Sequence, residues 1–171
     1  MVTPPLVQQI QIRKASRKDL PALEWGGEFA HFRHIFAEAY RLMEKGNAVM
    51  WIADLMDEGL IGQLFVQLYN QNHSDVLPSN HAYIYGFRVR PEFRGFGIGS
   101  RLLQTAENDL LYNGFLRIAL NVARDNEDAR RLYERFGYQV VGPEPGIWSY
   151  LDDKGKRCFV NEPAWRMEKN F

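Results

Sequence analysis

The feature that most constrains the fold is a strand pattern that runs into an amphipathic helix pattern through three alternating glycines. Residues 81–89 form the strand pattern, Gly95, Gly97 and Gly99 follow, and apolar residues at helical spacing then run from 98 to 113. The first N–H groups of a helix lack partners within the helix, and the helix dipole adds partial positive charge there. Such a junction favours an anion, most often a phosphate group, although a glycine-rich turn that serves geometry alone gives the same pattern.

The residues around these glycines suit a phosphate but fit neither of two common phosphate loops. Backbone amides between Arg94 and Ser100 would form a concave nest, and Arg94, Arg101 and the Ser100 hydroxyl would add charge and a donor. Leu102 occupies the place of the last glycine of the dinucleotide fingerprint. Gly99 is followed by serine rather than by the lysine of a Walker loop, so both loop types are excluded.

The rest of the chain alternates strand and helix patterns without a repeat or a linker, which predicts one domain over residues 1–171. Predicted strands cover 6–14, 48–54, 60–69, 81–89, 115–122, 138–141 and 165–168. Predicted helices cover 16–23, 29–45, 98–113 and 125–136, with a break at Gly26 and Gly27, a polar loop at 70–80 and a hairpin in the C-terminal tail. Ser16, with Asp19 three residues later, is the expected N-cap of the first helix. This order predicts a mixed α/β layer fold.

Composition narrows the class of partners. Lys and Arg number 21 and Asp and Glu also number 21, so the formal net charge is zero and predicts no nucleic-acid partner. Cys158 is the single cysteine, which excludes an internal disulfide and fits a reducing compartment. No apolar run is long enough to cross a bilayer, and no basic start precedes an apolar segment at the N-terminus. We therefore expect a cytoplasmic protein with no membrane partner and no metal site.

Two ordered motifs resemble those of a known family. Arg94, Gly97 and Gly99 match the fixed places of an R/Q-x-x-G-x-G/A loop, and residues 126–138, NEDARRLYERFGY, match an N-x-x-A-x-x-L-Y-x-x-x-G-F/Y segment downstream. Together they resemble the GNAT (Gcn5-related) N-acetyltransferase superfamily. The resemblance implies a single-domain GNAT-like α/β fold, with a mixed, mostly antiparallel central sheet and helices on both faces. It also implies transfer of an acetyl group from acetyl-CoA to a primary amine by direct attack on the thioester.

The resemblance further implies which residues bind acetyl-CoA. The diphosphate would lie on the loop residues, namely Arg94, Gly95, Phe96, Gly97, Ile98, Gly99 and Ser100. The pantetheine arm would pair with the backbone of Phe87, Arg88 and Val89, beside a bulge at Gly86 that would separate this strand from the next. Asn126 would contact the pantetheine. Asn121 lies in that next strand beside the opening and is a further candidate for binding the cosubstrate, with a purely structural role as its alternative. Asn126 or Asp125 would equally serve as the cap of the following helix.

Tyr133 is the predicted proton donor of the reaction. An amine that attacks a thioester generates an oxyanion and then a thiolate, and a donor near the sulfur assists both steps. Tyr133 matches the family position that often carries this donor, and a phenol is protonated at neutral pH. The alternative is a core role, since Ala129, Leu132, Tyr133 and Phe136 form an apolar helix face.

The acceptor side is less well defined by the sequence. By resemblance, Trp25, Glu28 and Phe29 would form a substrate-binding loop, in which Glu28 attracts a cationic amine. A hydrophobic staple around the helix start is the alternative. The sequence does not identify the general base. The candidates are a relaying water and five side chains, namely Glu28, His31, His34, Asp54 and His81.

Two classes of function follow from these residues. The first is an N-acetyltransferase that acts on a small-molecule or protein amine, and the second is a non-catalytic acyl-CoA-binding or interaction module on the same fold. The glycine loop favours cofactor binding in both classes, whereas Tyr133 favours the enzyme. The resemblance also implies a homodimer. The sequence gives neither the acceptor nor the length of the acyl group.

Overall fold

The computed structural model describes residues 6–69 and 80–171. Its α-helices and strands, in chain order, are α1 (Leu6–Gln9), β1 (Ile10–Lys14), α2 (Arg33–Glu44), β2 (Ala48–Leu55), β3 (Gly59–Tyr69), β4 (His81–Val89), α3 (Ile98–Tyr112), β5 (Arg117–Ala123), α4 (Glu127–Arg135), β6 (Gln139–Glu144), β7 (Ile147–Leu151), β8 (Arg157–Asn161) and β9 (Ala164–Asn170). Short 3₁₀ helices span Arg17–Gly27, Ala30–Phe32 and Pro91–Phe93.

Seven of the described strands form one central sheet in the order β1-β2-β3-β4-β5-β9-β6, and β7 and β8 form a separate two-stranded hairpin. Neighbouring strands of the central sheet are antiparallel except for β4 and β5, which run parallel. The connection between these two strands contains α3, as a parallel crossover requires. The predicted mixed, mostly antiparallel sheet is confirmed.

Helices cover both faces of the sheet, as predicted. On one face, Phe36 of α2 lies in a buried cluster with Met50 and Ile52 of β2. On the other face, Leu102 of α3 and Tyr133 of α4 belong to a larger buried cluster that includes the opposite side of the same strands. β2 and β3 are therefore buried on both faces, which explains their nearly continuous apolar sequences.

The predicted first strand is wrong over its first residues. Residues 6–9 form the single helical turn α1, and β1 begins only at Ile10. Ile10 pairs with Leu55, the last residue of β2, so the partner strand ends where β1 begins. A longer β1 would have no ladder partner for residues 6–9, and a helical turn satisfies their backbone locally.

The segment after β1 folds as its capping residues predict. The Asp19 carboxylate accepts a hydrogen bond from the Ser16 N–H at 2.7 Å, which is one half of a capping box. The helix breaks where the glycines predicted it: Trp25, Gly26 and Gly27 have φ values of 48°, 70° and 110°. Trp25 is the strained member of the three, because a left-handed φ is costly for a residue with a bulky side chain.

The other predicted elements are confirmed with small shifts at their ends. α2 begins at Arg33, later than predicted, because residues 30–32 form a tighter 3₁₀ turn. The predicted loop at 70–80 lies outside the described residues, apart from Asn80. Within the described ranges, no helix is both long enough and apolar enough to span a membrane.

Candidate active site

A gap between β4 and β5 forms the centre of the site. The two strands pair from His81↔Arg117 to Ile84↔Leu120 and then separate. On the other side of β4, the register with β3 shifts between Gln63 and Phe65, so β4 carries one extra residue there. Gly86 lies in this bulge with φ of 59°. The predicted bulge is present, and β4 diverges from β5 beyond it.

A cavity of about 780 Å³ opens at this gap. Its walls come from the α2 entry, Phe65 of β3, the end of β4, β5 with α4, and the β6–β9 region. Its lining residues include Phe29, Phe32, Tyr83, Tyr85, Phe87, Arg88, Asn121, Asn126, Tyr133, Glu144, Trp148 and Glu162. The cavity is large enough for a small ligand and combines apolar walls with a few polar groups.

The glycine loop leads from the end of β4 into α3 and is a surface feature. Gly95 and Gly97 have φ values of 82° and 81°, which glycine adopts without strain. The first backbone bond of α3 runs from the Arg101 N–H to the Gly97 carbonyl at 3.0 Å. The amides of Ile98, Gly99 and Ser100 therefore precede the helical ladder, at the place where a helix start can bind an anion.

The side chains of this loop have mostly structural contacts. The Arg94 Nε donates to the Val89 carbonyl at 2.9 Å and so ties the loop to the end of β4. The Arg101 Nη2 donates to the Ile10 carbonyl at 3.2 Å. Ile98 is buried in the core and offers only its amide, whereas Phe96 is half exposed. The backbone, more than the side chains, provides the donors of the predicted nest.

Tyr133 lies where α4 meets the cavity. Its side chain is only 7% exposed, and its ring centroid lies 6.2 Å from that of Phe87, which follows the bulge. Burial raises the pKa of the Tyr133 phenol well above its usual value, so the group keeps its proton at neutral pH. Tyr133 belongs to the core cluster and also lines the cavity, so both sequence interpretations describe its position.

The two asparagines predicted for the cosubstrate also line the cavity. Asn121 lies one residue beyond the last paired residue of β5 with β4. Its Oδ1 is buried and has no hydrogen-bond partner within residues 6–69 and 80–171. Asn126 is the N-cap of α4, and its Oδ1 accepts from the Ala129 N–H at 3.2 Å. Asn126 therefore caps α4 and also lines the cavity. The Asn121 Oδ1 is available as a hydrogen-bond acceptor.

The predicted acceptor loop reaches the cavity through one residue. Phe29 lines the cavity, and Trp25 packs edge-on against it with ring centroids 5.1 Å apart. Trp25 supports this wall from behind, and Glu28 is exposed and is not among the lining residues. Phe32 continues the wall and stacks on Trp148 of β7 at 6.4 Å.

The side chain of Arg88 faces away from that of its neighbour Phe87. The Phe87 ring contacts Tyr133 on the α4 side, whereas the Arg88 guanidinium lies 4.0 Å from the Phe29 ring centroid on the acceptor side. Burial lowers the pKa of Arg88 to about 10, so the side chain remains charged at neutral pH. The family resemblance placed Arg88 in the cosubstrate-binding segment but did not indicate this contact.

The candidate bases named from the sequence are not brought to the cavity. Glu28, His31, His34, Asp54 and His81 do not line it, and Asp54 accepts a hydrogen bond from Arg13 at 2.9 Å instead. Among the residues that the structure describes, the carboxylates that line it are Glu144, at the end of β6, and Glu162, directly after β8. No local motif marks these two residues, because only the folding of the C-terminal strands brings them to the site.

Comparison with known proteins agrees with this architecture. A sequence model described as the acetyltransferase (GNAT) family matches residues 12–138. Among curated proteins, the chain is similar to the "Uncharacterized N-acetyltransferase YycN" of Bacillus subtilis, with 26% identity over 99 residues. That alignment covers 58% of this chain and 60% of the relative, so the chain spans less than two thirds of the relative's length.

Solved structures share the fold across nearly the whole chain. The structure of Arabidopsis thaliana NAA60 in complex with acetyl-CoA has a TM-score of 0.71 at 21% identity and covers 95% of this chain and 98% of that one. A chimera of the Vibrio cholerae spermidine N-acetyltransferase SpeG and hSSAT has a TM-score of 0.68 at 19% identity, with 95% of each chain covered. At these low sequence identities, the structural similarity shows a shared fold only.

Proposed function

Because the chain belongs to the acetyltransferase (GNAT) family, we propose that it is an acetyl-CoA-dependent N-acetyltransferase whose acceptor is a primary amine of a small molecule or a protein. In this proposal residues 1–171 form a single N-acetyltransferase domain. The observation that most supports this proposal is that Tyr133, Asn121 and the unpaired edge of β4 all border one cavity. A non-catalytic acyl-CoA-binding module would also need the glycine loop, but it would have no role for Tyr133 as a proton donor.

The chain's own groups fit an acyl-CoA. The loop amides of Ile98, Gly99 and Ser100 suit a diphosphate, since they precede the first helical bond of α3. The edge of β4 beyond Ile84 is unpaired with β5 and suits the extended, amide-containing pantetheine. Asn121 Oδ1, a buried acceptor without a donor in the described parts of the chain, suits a pantetheine N–H.

Acetyl-CoA would supply an activated acyl thioester, and residues of the chain would donate and accept the protons of the reaction. Tyr133 would give its phenolic proton to the departing sulfur, and its burial keeps that proton in place before transfer. Glu144 and Glu162 are the carboxylates of the cavity that would take a proton from an ammonium, directly or through water. The apolar walls around Phe29 would exclude bulk water from the acceptor.

The same proposal includes the cellular setting. A cytoplasmic location agrees with the single cysteine, Cys158. The zero formal net charge supports the prediction that nucleic acid is not a partner, and we expect no membrane partner. The homodimer implied by the family resemblance is tested by sedimentation velocity.

The direct test is release of free thiol from acetyl-CoA in the presence of a panel of primary amines. The proposal expects amine-dependent thiol release together with an acetylated amine in the mass spectrum. Thermal stabilisation by CoA without turnover on any amine would instead favour a non-catalytic binding module. No stabilisation and no turnover would contradict both.

A further inference from the structure

Arg88 places a buried positive charge inside the candidate active site. The residue follows the β4 bulge and lines the cavity on the side of the acceptor loop. Its guanidinium lies 4.0 Å from the ring centroid of Phe29 and 5.1 Å from that of Phe32. Aromatic faces hold the cation in position but offer no in-plane acceptor for its N–H groups.

The guanidinium is not satisfied by the protein. Its Nη1 is buried and has no hydrogen-bond partner in the part of the chain that the structure describes. Glu28 favours the charged form of Arg88 from a distance, but the described residues contain no salt bridge to Arg88. Buried polar groups are normally paired, and an unpaired buried charge is costly. This donor belongs to a residue that lines the cavity, and it has the character of a ligand-binding group.

We propose that Arg88 binds a carboxylate of the acceptor, so that the substrate is an amine that also carries a carboxylate on an apolar body. This inference rests on the proposed function and names its acceptor class. The planar fork of arginine matches a carboxylate with two parallel hydrogen bonds. Phe29, Phe32, Tyr85 and Trp148 provide aromatic walls for the body that carries this carboxylate.

Binding of an aromatic carboxylate without an amine tests the inference independently of turnover. Hydrocinnamate and its neutral amide are titrated by calorimetry, with and without saturating CoA. We expect the wild type to bind the acid at least about ten-fold more tightly than the amide, since hydrogen bonds to charged groups are worth that much. In Arg88→Met this preference disappears, whereas Arg88→Lys keeps part of it.

A second arginine of the same region provides the matched control. Arg90 follows β4, has a buried Nε without a partner in the described ranges, and does not line the cavity. Arg90→Met removes a similar charge nearby, so it is expected to keep the preference for the acid. Thermal unfolding of both variants identifies any that are misfolded, and Arg88→Lys then carries the test.

Kinetics separates this inference from the proposed function. The ratio of kcat/KM for phenylalanine to that for phenylalanine amide should be at least about ten times higher in the wild type than in Arg88→Met, because the difference in amine basicity between the two substrates is the same for both enzymes. This ratio is unaffected by a general loss of activity. Equal affinity for hydrocinnamate and its amide, no binding of either, or a preference that survives in Arg88→Met would overturn the inference. Failure to acetylate any amine would contradict the proposed function, while the calorimetric result would still decide the role of Arg88.

Discussion

Ile84 pairs with Leu120, and beyond this pair the parallel strands β4 and β5 separate. The separation follows from one extra residue at Gly86, which bends β4 away while its other edge remains bonded to β3. It leaves the backbone of residues 86–89 open on the β5 side and places Tyr133 and Asn121 next to the opening. A single glycine thus links a local backbone conformation to the position of the whole candidate site.

Gly86→Ala should disturb this bulge. Gly86 has φ of 59°, and an added Cβ would lie 2.8 Å from Cδ2 of the buried Phe65. We expect a loss of about 1–3 kcal/mol in the free energy of unfolding, measured by urea titration, and a weaker affinity for CoA. Gly142→Ala is the control, because Gly142 has no left-handed φ and its Cβ would meet no atom within 4 Å. A Gly86→Ala protein as stable as that control would show that the bulge does not need glycine.

Tyr133→Phe should lower kcat while the affinity for acetyl-CoA stays nearly unchanged. The substitution keeps the buried ring against Phe87 and removes only the proton donor. A loss of about 100-fold in kcat is the lower end expected for general acid catalysis. Tyr138→Phe is the matched control, since Tyr138 is a buried tyrosine that does not line the cavity. An unchanged kcat in Tyr133→Phe, or an equal loss in both variants, would remove Tyr133 from the mechanism.

Gly97→Val should abolish most of the stabilisation that CoA gives. At one hundred times Kd, a ligand stabilises the folded state by about 2.7 kcal/mol, which thermal unfolding detects. Gly97 and Gly114 both have φ of 81°, and in both an added Cβ would meet nothing within 4 Å. Gly114→Val therefore matches the backbone strain at the other end of α3. Equal stabilisation of the two variants by CoA would be inconsistent with a diphosphate on the glycine loop.

Asp19→Asn should reduce stability at neutral pH but not in strong acid. The Arg13 guanidinium donates two hydrogen bonds of 2.8 Å to the Asp19 carboxylate and holds its pKa well below 3.8. A lowered pKa in the folded state gives stability above the ordinary pKa and loses it as the pH falls through the folded value. We expect a difference of about 1–3 kcal/mol between wild type and Asp19→Asn at pH 7, which shrinks as the pH falls from about 4.

Urea titrations at several pH values measure this difference. Asp57→Asn is the control, because Asp57 lies exposed in the β2–β3 turn and forms no ion pair with the residues that the structure describes. That control should stay within about 0.5 kcal/mol of the wild type at every pH. A difference for Asp19→Asn that stays constant down to strong acid would show that the carboxylate charge is not its source.

Local sequence signals predicted much of this molecule. The glycine loop and the cap at Asn126 depend on neighbouring residues, and their conformations are those expected from the sequence. The strand expected at residues 6–9 failed because the end of β2 at Leu55, far along the chain, decides where β1 begins. Sequence signals therefore predicted the backbone conformation correctly where the partner of a residue lies close in sequence.

Local sequence signals did not predict which side chains complete the cavity. Glu144 and Glu162 reach it from β6 and β8, and Trp148 from β7, through tertiary packing of the C-terminal strands. The orientation of Arg88 depends on the extra residue in β4, which fixes the face on which each following side chain lies. A one-residue change of register reverses the face of a strand residue, so the contact between Arg88 and Phe29 needed the folded structure.

A crystal structure of the protein with CoA tests the central claim most directly. The account predicts the diphosphate on the amides of Ile98, Gly99 and Ser100, the pantetheine along β4 beyond Ile84, and the sulfur in the cavity beside Tyr133. CoA bound at another surface, or a thiol that ends away from Tyr133, would contradict it.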